Sequence, residues 1–195
     1  MTATRVRISG FTLIEVLLTL AVAGTLAAIA VPLAGSTVDE IRTAAAARHL
    51  ASRVAAARID AVRRAATVAL KFEEDGADYR VTSHLDLNGN GVRTAEIRQG
   101  VDATLTAAER LRDNYPGAVF GLLAGIPDLD GGQGNADGVR VGSSNILSLS
   151  PNGSSTSGTL YVHGRRSQYA IRVFGATGRT RVFQYDTGAN RWTSR

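Results

Sequence analysis

Hydrophobic and polar positions fall into three regimes along this chain. From Phe11 to Val31 apolar and small residues run on with one charge, Glu15. As a helix that run extends about 31 Å, enough to cross the hydrocarbon core of a bilayer. From Val38 to about Ala66 the chain is alanine-rich and helical in period. Leu50, Val54, Ala57, Ala61, Ala65 and Val68 return to one face, while Arg42, Arg53, Asp60, Arg63 and Arg64 take the other. Between the two runs, Pro32 removes a backbone donor, so the helix loosens or kinks there rather than ending. Ala34-Gly35-Ser36-Thr37 then reads as a short flexible join, with Ser36 or Thr37 capping a new helical turn.

Beyond Thr67 the period becomes two. Thr67–Glu73 and Asp78–Ser83 predict a hairpin about a turn at 74–77. Next comes Asp86-Leu87-Asn88-Gly89-Asn90-Gly91, which places oxygen ligands Asp86, Asn88 and Asn90 at calcium-loop spacing. The twelfth position is Ile97, with Glu96 one residue early, so an Asn-Gly turn between two strands fits better than a metal loop. Strands at 101–105 and 118–123 flank a short helix at 107–113, and 128–138 is a solvated, mobile Gly/Asp/Asn loop without metal-ligand spacing. Further strands follow at 145–150, 158–163, 168–174 and 179–185, with a last short segment at 190–193. The fold expected is α+β: a long N-terminal helix, its first half membrane-spanning, packed on antiparallel β-sheet. The segments are a leader at 1–10, a transmembrane helix at 11–32, its amphipathic continuation at 33–66 and a β-rich globular domain at 67–195.

Composition narrows the chemistry. The chain has no cysteine, which rules out a disulfide or a thiolate metal site. His49, His84 and His163 form no ligand pattern with one another or with acids, and no serine lies in Gly-x-Ser-x-Gly. No enzyme and no cofactor is expected. The formal charge is +5, and the leader carries Arg5 and Arg7 without an acid. Those two charges stay cytoplasmic, placing everything after Pro32 across the membrane. The C-terminal stretch concentrates positive charge: Arg165, Arg166, Arg172, Arg179, Arg181, Arg191 and Arg195 face one acid, Asp186. Such a tail suits an anionic partner.

Gly10-Phe11-Thr12-Leu13-Ile14-Glu15-Val16-Leu17 resembles the prepilin motif of type IV pilins and type II secretion pseudopilins. The resemblance implies that a prepilin peptidase cuts after Gly10 and methylates the new amino group of Phe11. It implies too that Glu15 meets the terminal amine of a neighbouring subunit during filament assembly, and Pro32 falls where the family usually has a proline. A matched pair of charges in low dielectric costs far less than an unpaired one. The tail is similar to the GspH/FimT family in its order Ser150-Pro151-Asn152-Gly153, Gly158-Thr159-Leu160-Tyr161-Val162, then Gly178-Arg179-Thr180-Arg181. By that resemblance the chain is a non-enzymatic minor pseudopilin of a type II secretion system. It would be a single-pass inner-membrane subunit with a periplasmic domain. Its partners would be other pilins or pseudopilins, the peptidase and the inner-membrane assembly platform. The alternative is a FimT-like minor pilin of a type IV pilus that captures DNA through Arg165, Arg166, Arg179 and Arg181.

Overall fold

Thr12 opens the long helix α1 (Leu13–Arg64): its carbonyl and hydroxyl oxygens accept the N–H of Glu15 at 3.1 and 3.3 Å. Threonine followed three residues later by glutamate is the spacing of a capping box, and it puts an acid in the first turn, where the helix dipole favours one. The computed structural model describes residues 11–134 and 136–195, with backbone alone over 30–36. The helix continues through Pro32, and the join expected at 34–37 is helical backbone. One missing donor does not outweigh the helix-forming residues on both sides. At its far end Ala65 takes φ 51, while Ala65 and Ala66 donate back to Val62 and Ala61 at 3.3 and 3.2 Å. These two bonds are a Schellman ending, here built on alanine instead of glycine.

The chain divides into two compact units between Val38 and Asp39. In the first, the apolar side chains described are exposed, from Phe11 (83%) and Leu13 (79%) to Leu26 and Ile29 (64% each). Thr19 and Thr25 turn their hydroxyls onto the carbonyls of Val16 and Val22, both at 2.8 Å, so neither needs water.

The second unit holds the rest of α1 and two antiparallel sheets. In chain order its further elements are β1 (Val68–Asp75), β2 (Asp78–Leu85), α2 (Thr94–Gln99), β3 (Ala103–Arg110), α3 (Leu111–Asn114), β4 (Val119–Phe120), β5 (Val139–Arg140), β6 (Ile146–Leu149), β7 (Gly158–His163), β8 (Gln168–Phe174), β9 (Arg179–Asp186) and β10 (Arg191–Ser194). One sheet runs β3-β2-β1-β6 and the other β10-β9-β8-β7-β4, with β5 also on β7. Ala47, Leu50, Val54, Ala57 and Ala61 of α1 share one buried cluster with Leu70, Phe72, Leu147, Leu160 and Ile171 of the sheets. Alanines on that face let the backbones approach closely while Leu50 and Val54 fill the gap. Ala65 leaves the predicted stripe because it forms the helix end, and Val68 is buried as the first residue of β1.

Three expectations give way. Residues 107–110 continue strand β3 instead of forming a helix, since Val81 and Arg80 of β2 pair with Glu109 and Arg110. Glu109 is further held by His49 at 3.1 Å and Arg53 at 3.3 Å from α1. Tertiary pairing overrides the helix propensity of Ala107 and Ala108. The Asp86 loop leads into α2, so it is not a turn between two strands. The loop after Pro127 is tied down: Asp128 accepts from the N–H groups of Asp130 and Gly132 and pairs with Arg140 at 2.9 Å. Asp130 in turn takes both guanidinium ends of Arg172, at 2.7 and 2.5 Å.

Candidate functional site

Two regions carry candidate chemistry: the start of α1, and the arginines of the C-terminal sheet. Phe11 is exposed and Glu15 lies in the first turn of the helix. Gly10 and the leader lie outside the described residues, as does the side chain of Pro32. Among the described residues no helix is long and apolar enough to cross a membrane. The expected span runs on to Val31, and the side chains of residues 30 and 31 are outside that description.

The calcium-like loop closes on itself. Asp86 accepts the N–H groups of Asn88, Gly89 and Gly91 at 3.2, 2.8 and 2.8 Å. The amides of Asn88 and Asn90 donate to the two oxygens of Glu96 at 3.2 and 2.8 Å. All the side chains that would ligate a cation therefore have protein partners. Among the described residues no three of His, Cys, Asp and Glu are grouped to hold a metal. The histidines stand apart: His49 on Glu109, His84 beside Thr104 at 3.4 Å, His163 against the Gly164 carbonyl at 2.7 Å. His84 is buried, and burial first and Lys71 second push its pKa down.

The four arginines of the expected patch do not come together. Arg165 and Arg166 lie in the β7–β8 turn, where their backbone N–H groups grip the carboxylate of Asp39 at 2.8 and 3.2 Å and Ser167 adds its hydroxyl at 3.1 Å. Burial pushes the Asp39 carboxyl up, but these hydrogen bonds outweigh it and hold the group below its ordinary range. Arg179 and Arg181 lie on β9 beside the far end of β8, paired with Phe174 and Arg172. There Gly178 is seated so that an added Cβ would meet Arg58 Nε at 3.2 Å. Asp39 and Arg58 are separated by about 28 Å along α1, which sets the distance between the two arginine pairs. Arg172 is bound by Asp130.

At the Arg179 end a groove of about 1170 Å³ opens between α1 and the β8–β9 hairpin. Arg58, Ile59, Val62 and Arg63 line its helix side. Ile59 is 63% exposed and Val62 56%, while Phe174 across the groove is 41% exposed. No acid lines it. The sequence puts Arg63 on the outer helix flank and leaves Arg58, Ile59 and Val62 unassigned. Their signal was present: Ile59 and Val62 are apolar yet fall off the Leu50–Val54–Ala57–Ala61 stripe.

Residues 5–31 match the model of the prokaryotic N-terminal methylation motif. No curated protein and no solved structure matches the chain. The motif is the type IV pilin-like signal, and it indicates a pilin-like protein processed by a prepilin peptidase. The architecture behind it, an N-terminal helix followed by antiparallel sheets, is pilin-like as well. The match ends before the second unit begins.

Proposed function

We propose that this chain is a minor pseudopilin of a type II secretion system, a non-enzymatic subunit of a short periplasmic filament. A prepilin peptidase releases it between Gly10 and Phe11, and the helix from Phe11 anchors it in the inner membrane with residues from Asp39 onward in the periplasm. The observation that carries this reading is the matched methylation motif opening a helix whose apolar side chains are exposed on every side. A helix apolar all round needs lipid or other helices as its solvent. It passes from the membrane into a filament core of like helices, where Glu15 is matched by a neighbour's amine. The resemblance of the tail to the GspH/FimT family makes the subunit a minor one.

A second reading, a type IV pilus minor pilin that captures DNA, draws on one observation: Arg179 and Arg181 are exposed and make no ion pair among the described residues. Deleting the gene separates the two. Under the first reading, secreted proteins accumulate in the periplasm and DNA uptake is unchanged. Loss of DNA uptake with normal secretion overturns it in favour of the second.

A further inference from the structure

The sheet edge beside the arginine groove is open, and the way it is left open defines what fits there. β10 covers only part of β9: Arg191 pairs with Asp186 and Ser194 with Phe183, and Arg195 donates to the Val182 carbonyl at 3.0 Å. Outward-facing backbone groups alternate along an antiparallel strand. Since Val182 faces outward, so do the N–H and C=O of Thr180, and no strand among the described residues lies beside them. Period two also sorts the side chains. Thr180 shares a face with Val173, which is buried in the core against α1. Arg179 and Arg181 take the opposite face, in register with Phe174 and Arg172.

An extended segment laid along this edge meets two different walls. Side chains turned toward α1 meet Ile59 and Val62. Those turned the other way meet Arg179 and Arg181, whose guanidinium groups have no carboxylate partner among the described residues. We propose that the open edge of β9 and its groove take an extended segment of alternating acidic and apolar residues from a neighbouring subunit of different sequence. The pairing is strand addition, in which backbone hydrogen bonds give affinity and alternate side chains give specificity. That the donor is a filament neighbour rests on the pilin-like reading; the chemistry of the site does not.

The walls favour this occupant over two others. A polynucleotide would use the arginines but would leave Ile59, Val62 and the backbone edge unused. A second copy would have to bring acids alternating with apolar residues; Asp128-Leu129-Asp130 has that pattern, but its two aspartates are already held by Arg140 and Arg172.

The test uses the mature full-length protein in detergent and a blocked peptide of alternating Glu and Val, followed by fluorescence anisotropy. Binding is expected, and it weakens at least tenfold for Arg179→Glu with Arg181→Glu, for Ile59→Glu, and for a peptide N-methylated at the amides that pair. The same peptide N-methylated at its other amides binds as before, and an alternating Lys-Val peptide does not bind. Thermal unfolding of each variant checks that the exposed substitutions leave the fold intact. Absence of peptide binding overturns the proposal. So does displacement of the peptide by oligo(dT) that binds more tightly and ignores Ile59→Glu, which assigns the site to nucleic acid. Self-association of the wild-type protein that the arginine changes abolish, without peptide binding, assigns it to a second copy and overturns the proposal too. N-terminal processing, read on the same preparations, keeps the two ideas apart. A chain cut after Gly10 that fails to bind peptide sinks the groove alone. A chain left uncut sinks the pilin-like reading, whatever the groove binds.

Discussion

Glu15→Ala is expected to leave the protein inserted in the membrane and to cut its incorporation into filaments by about a hundredfold or more. Removing one partner from a buried ion pair costs about 3–5 kcal/mol, because the other charge stays behind unpaired. Each 1.4 kcal/mol is about tenfold in association. Here the stranded group would be the Phe11 amine of the adjoining subunit. Insertion should not suffer, since a carboxylate in an apolar helix opposes it. Glu15→Asp keeps the charge but shortens the reach, so it should fall between the two. Site-directed crosslinking to other pilins, normalised to the membrane fraction, measures this. Normal crosslinking of Glu15→Ala would show that the acid serves only as the third residue of the helix cap set by Thr12.

The second large effect lies in the sheet. Gly138→Ala is expected to destabilise the domain by about 3 kcal/mol, a drop in Tm of roughly 6–12 °C for a unit of this size. At Tyr161 of β7 the neighbouring strand changes from β4 to β5: the Tyr161 carbonyl accepts from Gly121 at 3.0 Å and its N–H donates to Gly138 at 2.7 Å. The two glycines therefore meet backbone to backbone. A Cβ on Gly138 would collide with Gly121 N and lie 2.6 Å from the Phe120 carbonyl carbon, and neither can swing aside as a side chain would. Gly76→Ala is the control: nothing lies within 4 Å there, and only its φ of +69 is strained, at about 1 kcal/mol. Equal melting losses for the two variants would show that β4 and β5 yield more readily than their geometry suggests.

How much of this was legible depends on whether a feature is local. The Leu50–Val54–Ala57–Ala61 stripe is helical at one period over many turns, and the same residues form the buried face. The β1–β2 hairpin and β7 to β9 alternate between glycine-bearing turns, so their existence could be read directly. Strand β5 could not: it is two residues long and is defined only by its pairing with β7, while of the strand expected at 118–123 only Val119 and Phe120 pair, as β4. The Gly121–Gly138 contact is hidden for the same reason. The alanines at 107 and 108 argue for helix locally, and only β2 overrules them. The arginines teach a different lesson. Counting charge along the tail merges Arg165 and Arg166 with Arg179 and Arg181, yet hairpin order alone separates them, because successive turns in an antiparallel sheet lie at opposite ends. Asp39, which holds the first pair, carries no mark in the sequence, since its ligands are backbone N–H groups more than a hundred residues away.

The central claim is that a peptidase turns Phe11 into the first residue of the working protein, and mass spectrometry of the membrane-extracted chain tests it most directly. The N-terminal peptide should begin at Phe11 and carry one extra methyl group, and replacing Gly10 by valine should leave the leader attached. An intact leader on the wild-type chain, or a terminus created by cleavage after Ala23 or Ala30, would contradict the account.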